Sequence, residues 1–222
     1  MKIIKALLFI LMFGTLSSFN DKPLKVIFFG DSITQAGVTP GGYITLMQED
    51  LKTKNIEDVY TFEGAGIGGN KIYDLYLRME DDVLTKNPDV VIIFVGVNDV
   101  WHKTSHGTGT DADKFEQFYR AVIAKLQKQN IKVLLCTPAA IGEKTDFSNQ
   151  QDGDLNHYSQ IIRDLGKDTG CDIIDLRKKF LAYNLTHNPE NKDRDILTKD
   201  RVHLNSTGNR FVADQMWKAL QE

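Results

Sequence analysis

Ser32 is the side chain from which chemistry can be built in this sequence. Four apolar residues, Val26-Ile27-Phe28-Phe29, precede it, and Gly30-Asp31 interrupt the run. Such a run reads as a buried strand that ends in a turn at Gly30. A serine just past the carboxyl end of a strand stands where open α/β sheets bind ligands. Its hydroxyl becomes a nucleophile if a base takes the proton, a third group orients the base, and donors receive the developing oxyanion. Two more polar clusters follow apolar runs. Gly64-Ala65-Gly66-Ile67-Gly68-Gly69-Asn70 comes after residues 58–63, and Gly96-Val97-Asn98-Asp99 closes the run at 89–97. A fourth cluster, Asp200-Arg201-Val202-His203, sets an acid three residues before an imidazole.

The elements that must position these clusters alternate along the chain. Strands are predicted at 25–31, 58–63, 89–97, 131–136 and 172–176. The third, with Val90-Val91-Ile92-Ile93-Phe94-Val95, is apolar on both faces and belongs in the middle of a sheet. Helical spacing recurs at Tyr43/Met47/Leu51, Ile72/Leu75/Met79/Val83, Phe115/Phe118/Val122/Leu126, Leu155/Tyr158/Ile162/Leu165 and Val212/Met216/Leu220. A brief helix is expected at 177–184, and the last helix starts after Asn205 or Ser206, either of which is a good N-cap. Polar stretches at 101–111 and 139–152 read as loops. The alternation implies an α/β fold, a five-stranded parallel sheet between two helical layers. Every strand of such a sheet points the same way, so the first three clusters meet on one edge.

Residues 1–20 obey a different pattern. Lys2 and Lys5 precede the apolar run Ala6 to Phe13, and Thr15, Ser17 and Ser18 follow. This order is that of a secretory signal peptide, too short in its apolar part to span a bilayer comfortably. The expected organisation is a signal peptide at 1–20 and one domain at 21–222, secreted or periplasmic, with no stable membrane insertion after cleavage. The 222 residues are 41% apolar and 26% charged, with a net charge of −3. That near-balance argues against a nucleic-acid partner. The two cysteines, Cys136 and Cys171, fall at the end of one predicted strand and the start of the next. Parallel neighbours would hold them apart, so two free buried thiols are expected.

Taken in order, the four clusters resemble the four signature blocks of the GDSL family, also called SGNH hydrolases. The resemblance spans residue 25 to the last helix. It implies the flavodoxin-like three-layer α/β/α sandwich of that family and a serine esterase without metal or cofactor. It also implies roles: Ser32 as nucleophile, His203 as base, Asp200 as the group that orients the imidazolium. The oxyanion hole would be the backbone N–H groups of Ser32 and Gly69 and the side-chain amide of Asn98. Gly68 stands where the family often has serine, which leaves Gly66 and Gly68 as rivals to Gly69. Leu204 stands where the family frequently has proline. The family includes carbohydrate O-acetylesterases, lysophospholipases and thioesterases. The polar loops at 101–111 and 139–152 favour a short acyl group on a polar carrier, such as an acetylated sugar, over a lysophospholipid or thioester.

Other readings compete at individual residues. Ser32 alone could be a helix N-cap, and Asp31 could brace its turn. Gly64 to Gly69 also fits the dinucleotide fingerprint, but the acid expected about 20 residues on at a strand end is absent there. A non-catalytic binding protein on the same fold would not need Ser32, Asp200 and His203 together. His102 and His106 could share a metal only if helical; Gly107 and Gly109 nearby favour a loop and a rim position. His157 and His187 read as solvated, Asp99 as a turn cap, and Trp101 as pocket lining or packing.

Overall fold

A computed structural model describes residues 22–221, so the expected signal peptide at 1–20 lies outside the described residues. Strands β1 (Leu24–Gly30), β2 (Tyr60–Gly66), β3 (Val90–Phe94), β4 (Lys132–Cys136) and β5 (Asp172–Ile174) form one sheet. All neighbours are parallel, in the order β2-β1-β3-β4-β5. The chain runs outward from β1 to β2, then crosses back over β1 to β3. This places a topological switch point between β1 and β3, where such sheets open a crevice at their carboxyl ends. All five residues of β3 are buried, as its unbroken apolar sequence requires.

The helices are α1 (Ser32–Gly37), α2 (Tyr43–Lys54), α3 (Ile72–Asp82), α4 (Val97–Ser105), α5 (Ala112–Lys128), α6 (Asp152–Thr169), α7 (Leu176–His187) and α8 (Ser206–Gln221), with a 3₁₀ turn at Leu84–Lys86. Helix α2 packs on α8, while α3 packs on α5 and α5 on α6, giving a helical layer on each side of the sheet. Phe28 sits in the core with its ring edge-on to those of Tyr43 and Phe62.

Several sequence expectations are corrected. Gly64, Ala65 and Gly66 are not a turn; they extend β2 and pair with Phe28, Phe29 and Gly30. The reason is steric: a Cβ at Gly66 would come within 2.1 Å of the Gln35 nitrogen, so only glycine lets α1 lie against this strand end. The expected loop at 101–111 is helical through Ser105, because α4 begins directly after the β3 turn and Gly107 acts only beyond its end. His102 is therefore helical and His106 is the C-cap of α4. Helix α7 is longer than expected and includes His187, whose ring stacks on Tyr183 at 3.9 Å. Cys136 pairs in register with Ile174, three residues beyond Cys171; both thiols are buried and unbridged.

The irregular segment between β4 and α6 is held from below. Arg177, 1% exposed, donates to Asp152 Oδ1 at 2.6 Å, Asn156 Oδ1 at 2.7 Å and the Ala139 carbonyl. A guanidinium with several partners suits this position, since it satisfies backbone and carboxylate together.

Candidate active site

The register Gly66↔Gly30↔Phe94 brings the ends of β2, β1 and β3 level. Asp31 caps α1 by accepting the Ile33 N–H at 2.9 Å, so Asp31 rather than Ser32 is the N-cap. Ser32 becomes the first residue of α1, with its hydroxyl at the sheet edge. Its Oγ lies 2.9 Å from Nε2 of His203. The other ring nitrogen, Nδ1, lies 2.8 Å from Asp200 Oδ2. Asp200 Oδ1 also accepts the backbone N–H groups of Val202 and His203, at 3.2 and 2.7 Å. Burial works against the Asp200 charge, but these hydrogen bonds outweigh it and hold the carboxyl below its ordinary value. An acid fixed in this way selects the imidazole tautomer with its proton on Nδ1 and leaves Nε2 free to accept the serine proton.

Asp200 and His203 sit on a strap that closes on itself. Thr198 bridges Leu204, the Lys199 N–H donates to the His203 carbonyl at 2.8 Å, and the Asn205 N–H donates to the Leu197 carbonyl at 3.0 Å. Arg201 takes a left-handed conformation at the tip, with φ of 82°. The strap rests on α8 at Gly208, where a Cβ would lie 1.9 Å from the Leu197 carbonyl oxygen.

The three candidate glycines differ physically. Gly66 is filled in by the α1 backbone. The Gly68 N–H is already given to Gln35 Oε1 at 2.9 Å. Gly69 has φ of 77° and open space where a Cβ would point, with only His102 Cε1 nearby at 3.8 Å. Asn98, 2% exposed in the first turn of α4, donates from Nδ2 to the Asn70 carbonyl at 3.1 Å. An amide nitrogen carries two N–H groups, so one remains.

Residues outside the motif blocks hold this turn in place. Arg78 donates to the Gly30 and Ala65 carbonyls at 2.7 and 3.0 Å and to Asn70 Oδ1 at 2.7 Å. Lys71, 6% exposed, donates to the Gly69 carbonyl at 3.1 Å. Asp99 is not a local turn cap: it is fully buried and accepts the Ile72 N–H, at the start of α3, at 3.2 Å. Arg78 and Lys71 gave no sequence signal, because their partners are mostly backbone carbonyls on other segments.

Trp101 is half-buried, with its ring edge-on to His203 at 6.4 Å between centroids. The His102 and His106 rings are 4.3 Å apart, and burial, then the Lys71 and His106 charges, hold the His102 pKa below its usual value. Among the described residues no three His, Cys, Asp or Glu side chains gather as a metal site would need. A groove of about 420 Å³ runs beside the strap, between Thr39-Pro40-Gly41-Gly42 and Lys199, Asn205 and Ser206. A larger cavity of about 590 Å³ lies against α6 and α7; neither it nor the groove is lined by Ser32, Asp200 or His203.

A model of the GDSL-like lipase/acylhydrolase family matches residues 28–211, from the end of the first strand into the last helix. The chain belongs to that family. It is a carboxylic ester hydrolase of the GDSL type. It is similar to an acetylxylan esterase of Geobacillus stearothermophilus, 27% identical over 208 residues that span 85% of this chain and 90% of the relative. It is similar also to a rat isoamyl acetate-hydrolyzing esterase 1 homologue, at 26% identity over 89% of this chain and 82% of the relative. Among solved structures, an acetyl xylan esterase, AlAXEase, is 81% identical, with a TM-score of 0.88 over 89% of this chain and all of the other. No helix among the described residues is long and apolar enough to cross a membrane.

Proposed function

We propose that this GDSL hydrolase removes acetyl groups from an acetylated carbohydrate, after export directed by residues 1–20. Ser32, His203 and Asp200 are its catalytic triad. The observation that carries the proposal is the pair of contacts at the sheet edge, 2.9 Å from Ser32 Oγ to His203 Nε2 and 2.8 Å from His203 Nδ1 to Asp200. Ser32 Oγ attacks the ester carbonyl carbon while Nε2 takes its proton. The carbonyl oxygen becomes an oxyanion held by the Ser32 and Gly69 N–H groups and the free N–H of Asn98. The imidazolium then protonates the departing sugar oxygen, and an acetyl-serine remains. Water, deprotonated by the same Nε2, attacks that ester and frees acetate and Ser32.

The acetyl-carbohydrate assignment draws on the named activities of the acetylxylan esterase relatives. Wild-type protein is expected to release acetate from acetylated xylan and from p-nitrophenyl acetate. Ser32→Ala should leave neither activity measurable, and wild-type rates from that variant would reject the triad. On p-nitrophenyl esters, activity should fall from acetate to octanoate. A preference for octanoate would move the assignment to the lysophospholipase branch.

A further inference from the structure

The loop between β4 and α6 carries one fully buried acid, and it is not part of the triad. Glu143 is 1% exposed. Its carboxylate accepts three consecutive backbone N–H groups: Ile196 at 2.9 Å, Leu197 at 2.7 Å and Thr198 at 3.0 Å. None of the ion pairs among the described residues includes it. Burial pushes its pKa up, and the three N–H groups oppose that push. A carboxylate kept without a counterion has to be met by oriented N–H groups, and here all of them come from the root of the strap that carries Asp200 and His203.

The same loop grips the strap twice more. The Glu143 N–H donates to the Asp193 carbonyl at 3.0 Å, and the Gly142 N–H donates to the Arg201 carbonyl at 2.8 Å. The grip thus reaches the strap before the triad residues and between them. Thr198, which Glu143 fixes, is two residues from Asp200 and pairs with Leu204, the neighbour of His203. We propose that Glu143 is a positioning residue: by clamping residues 196–198 it sets the distance of the Asp200–His203 pair from Ser32. The proposal rests on the esterase reading above. Misplacement of a catalytic group by about 1 Å can cost a hundredfold in rate, so a clamp of this kind bears on turnover and not only on folding.

Glu143→Gln tests it with little change in shape. The amide oxygen can still accept from Leu197 and Thr198, but its NH₂ faces the Ile196 N–H, donor against donor. Expected is a fall in kcat of about tenfold on p-nitrophenyl acetate, with KM changed less than twofold. The downfield proton resonance of His203 Nδ1–H, identified by its absence in His203→Gln, should shift or broaden. Glu143→Asp, which keeps the charge but draws the carboxylate back by about 1.5 Å, is the second variant, with the same expected split between kcat and KM. Leu126→Ala, a buried leucine of α5 far from the strap in sequence, controls for lost stability and should keep wild-type kcat. Wild-type kcat with an unmoved resonance in both Glu143 variants would overturn the proposal. So would a fall in kcat that Leu126→Ala reproduces. If wild-type protein hydrolyses no ester but the resonance still depends on Glu143, the esterase reading fails and the positioning role stands.

Discussion

At the scale of single residues, Asn98 is where geometry and chemistry meet most closely. One N–H of its amide holds the Asn70 carbonyl at 3.1 Å, and the other is the one we propose receives the oxyanion. Alanine removes both functions. The lost oxyanion donor alone is worth about 10²–10³ in kcat, or roughly 2.7–4 kcal/mol. Asn98→Ala is expected to show that loss on p-nitrophenyl acetate, and a loss under threefold would remove Asn98 from the oxyanion hole. Residues of this kind were legible in the sequence because their chemistry restricts both type and order: Ser32, Asn98, Asp200 and His203 each stand in a recognisable block. Glu143, Lys71 and Arg78 were not legible. Their partners are mostly backbone groups, which any sequence supplies, and Glu143 acts across 53–55 residues.

At the scale of elements, local periodicity fixed most of the fold and failed where neighbours decided the outcome. The five strands and their parallel direction follow from apolar runs separated by helical spacing. The strand-like state of Gly64-Ala65-Gly66 does not, because it depends on α1 lying against glycines without side chains. Helix α4 was hidden for a related reason: the two glycines at 107 and 109 suggested a loop, yet they act only after Ser105. Gly208 of α8 shows the same dependence with a measurable consequence. Alanine would favour the helix by about 1 kcal/mol over glycine. Its Cβ, however, would fall 1.9 Å from the Leu197 carbonyl oxygen, and both atoms belong to backbone that cannot swing aside. Overpacking of this sort costs about 1–3 kcal/mol and should win. Gly208→Ala is therefore expected to lower Tm by roughly 2–8 °C in thermal unfolding. It should also lower kcat, because the displaced segment is the root of the strap. A raised Tm with unchanged kcat would mean that α8 and the strap are free to part.

At the scale of the whole molecule, the sheet edge that gathers the site also gathers buried acids, and these tie global stability to pH. Asp31 is 1% exposed and Asp99 fully buried, beneath the turns after β1 and β3. Burial pushes both carboxyls up to about 7, and the charge of Asp99 adds to the push on Asp31. In an unfolded chain each would titrate near 3.9. The folded protein thus holds these protons more tightly than the unfolded chain. Their contribution to stability is complete below about pH 4 and is lost as pH rises through about 7. Asp200, held below its usual value, contributes with the opposite sign and loses its share as pH falls through its lowered value. Between pH 5 and 8 the buried pair dominates, because Asp200 is already ionised there. Asp99→Asn removes one of the two buried acids with little change in shape. Whatever its stability at pH 5, its Tm should gain on wild type by several degrees between pH 5 and pH 8, read by thermal unfolding at each pH. A Tm difference that stays constant across that range would show that Asp99 is already ionised at pH 5 in the folded protein, as it is in the unfolded chain. The proton would then have to be sought on Asp31, which shares the edge and supports the turn that carries Ser32.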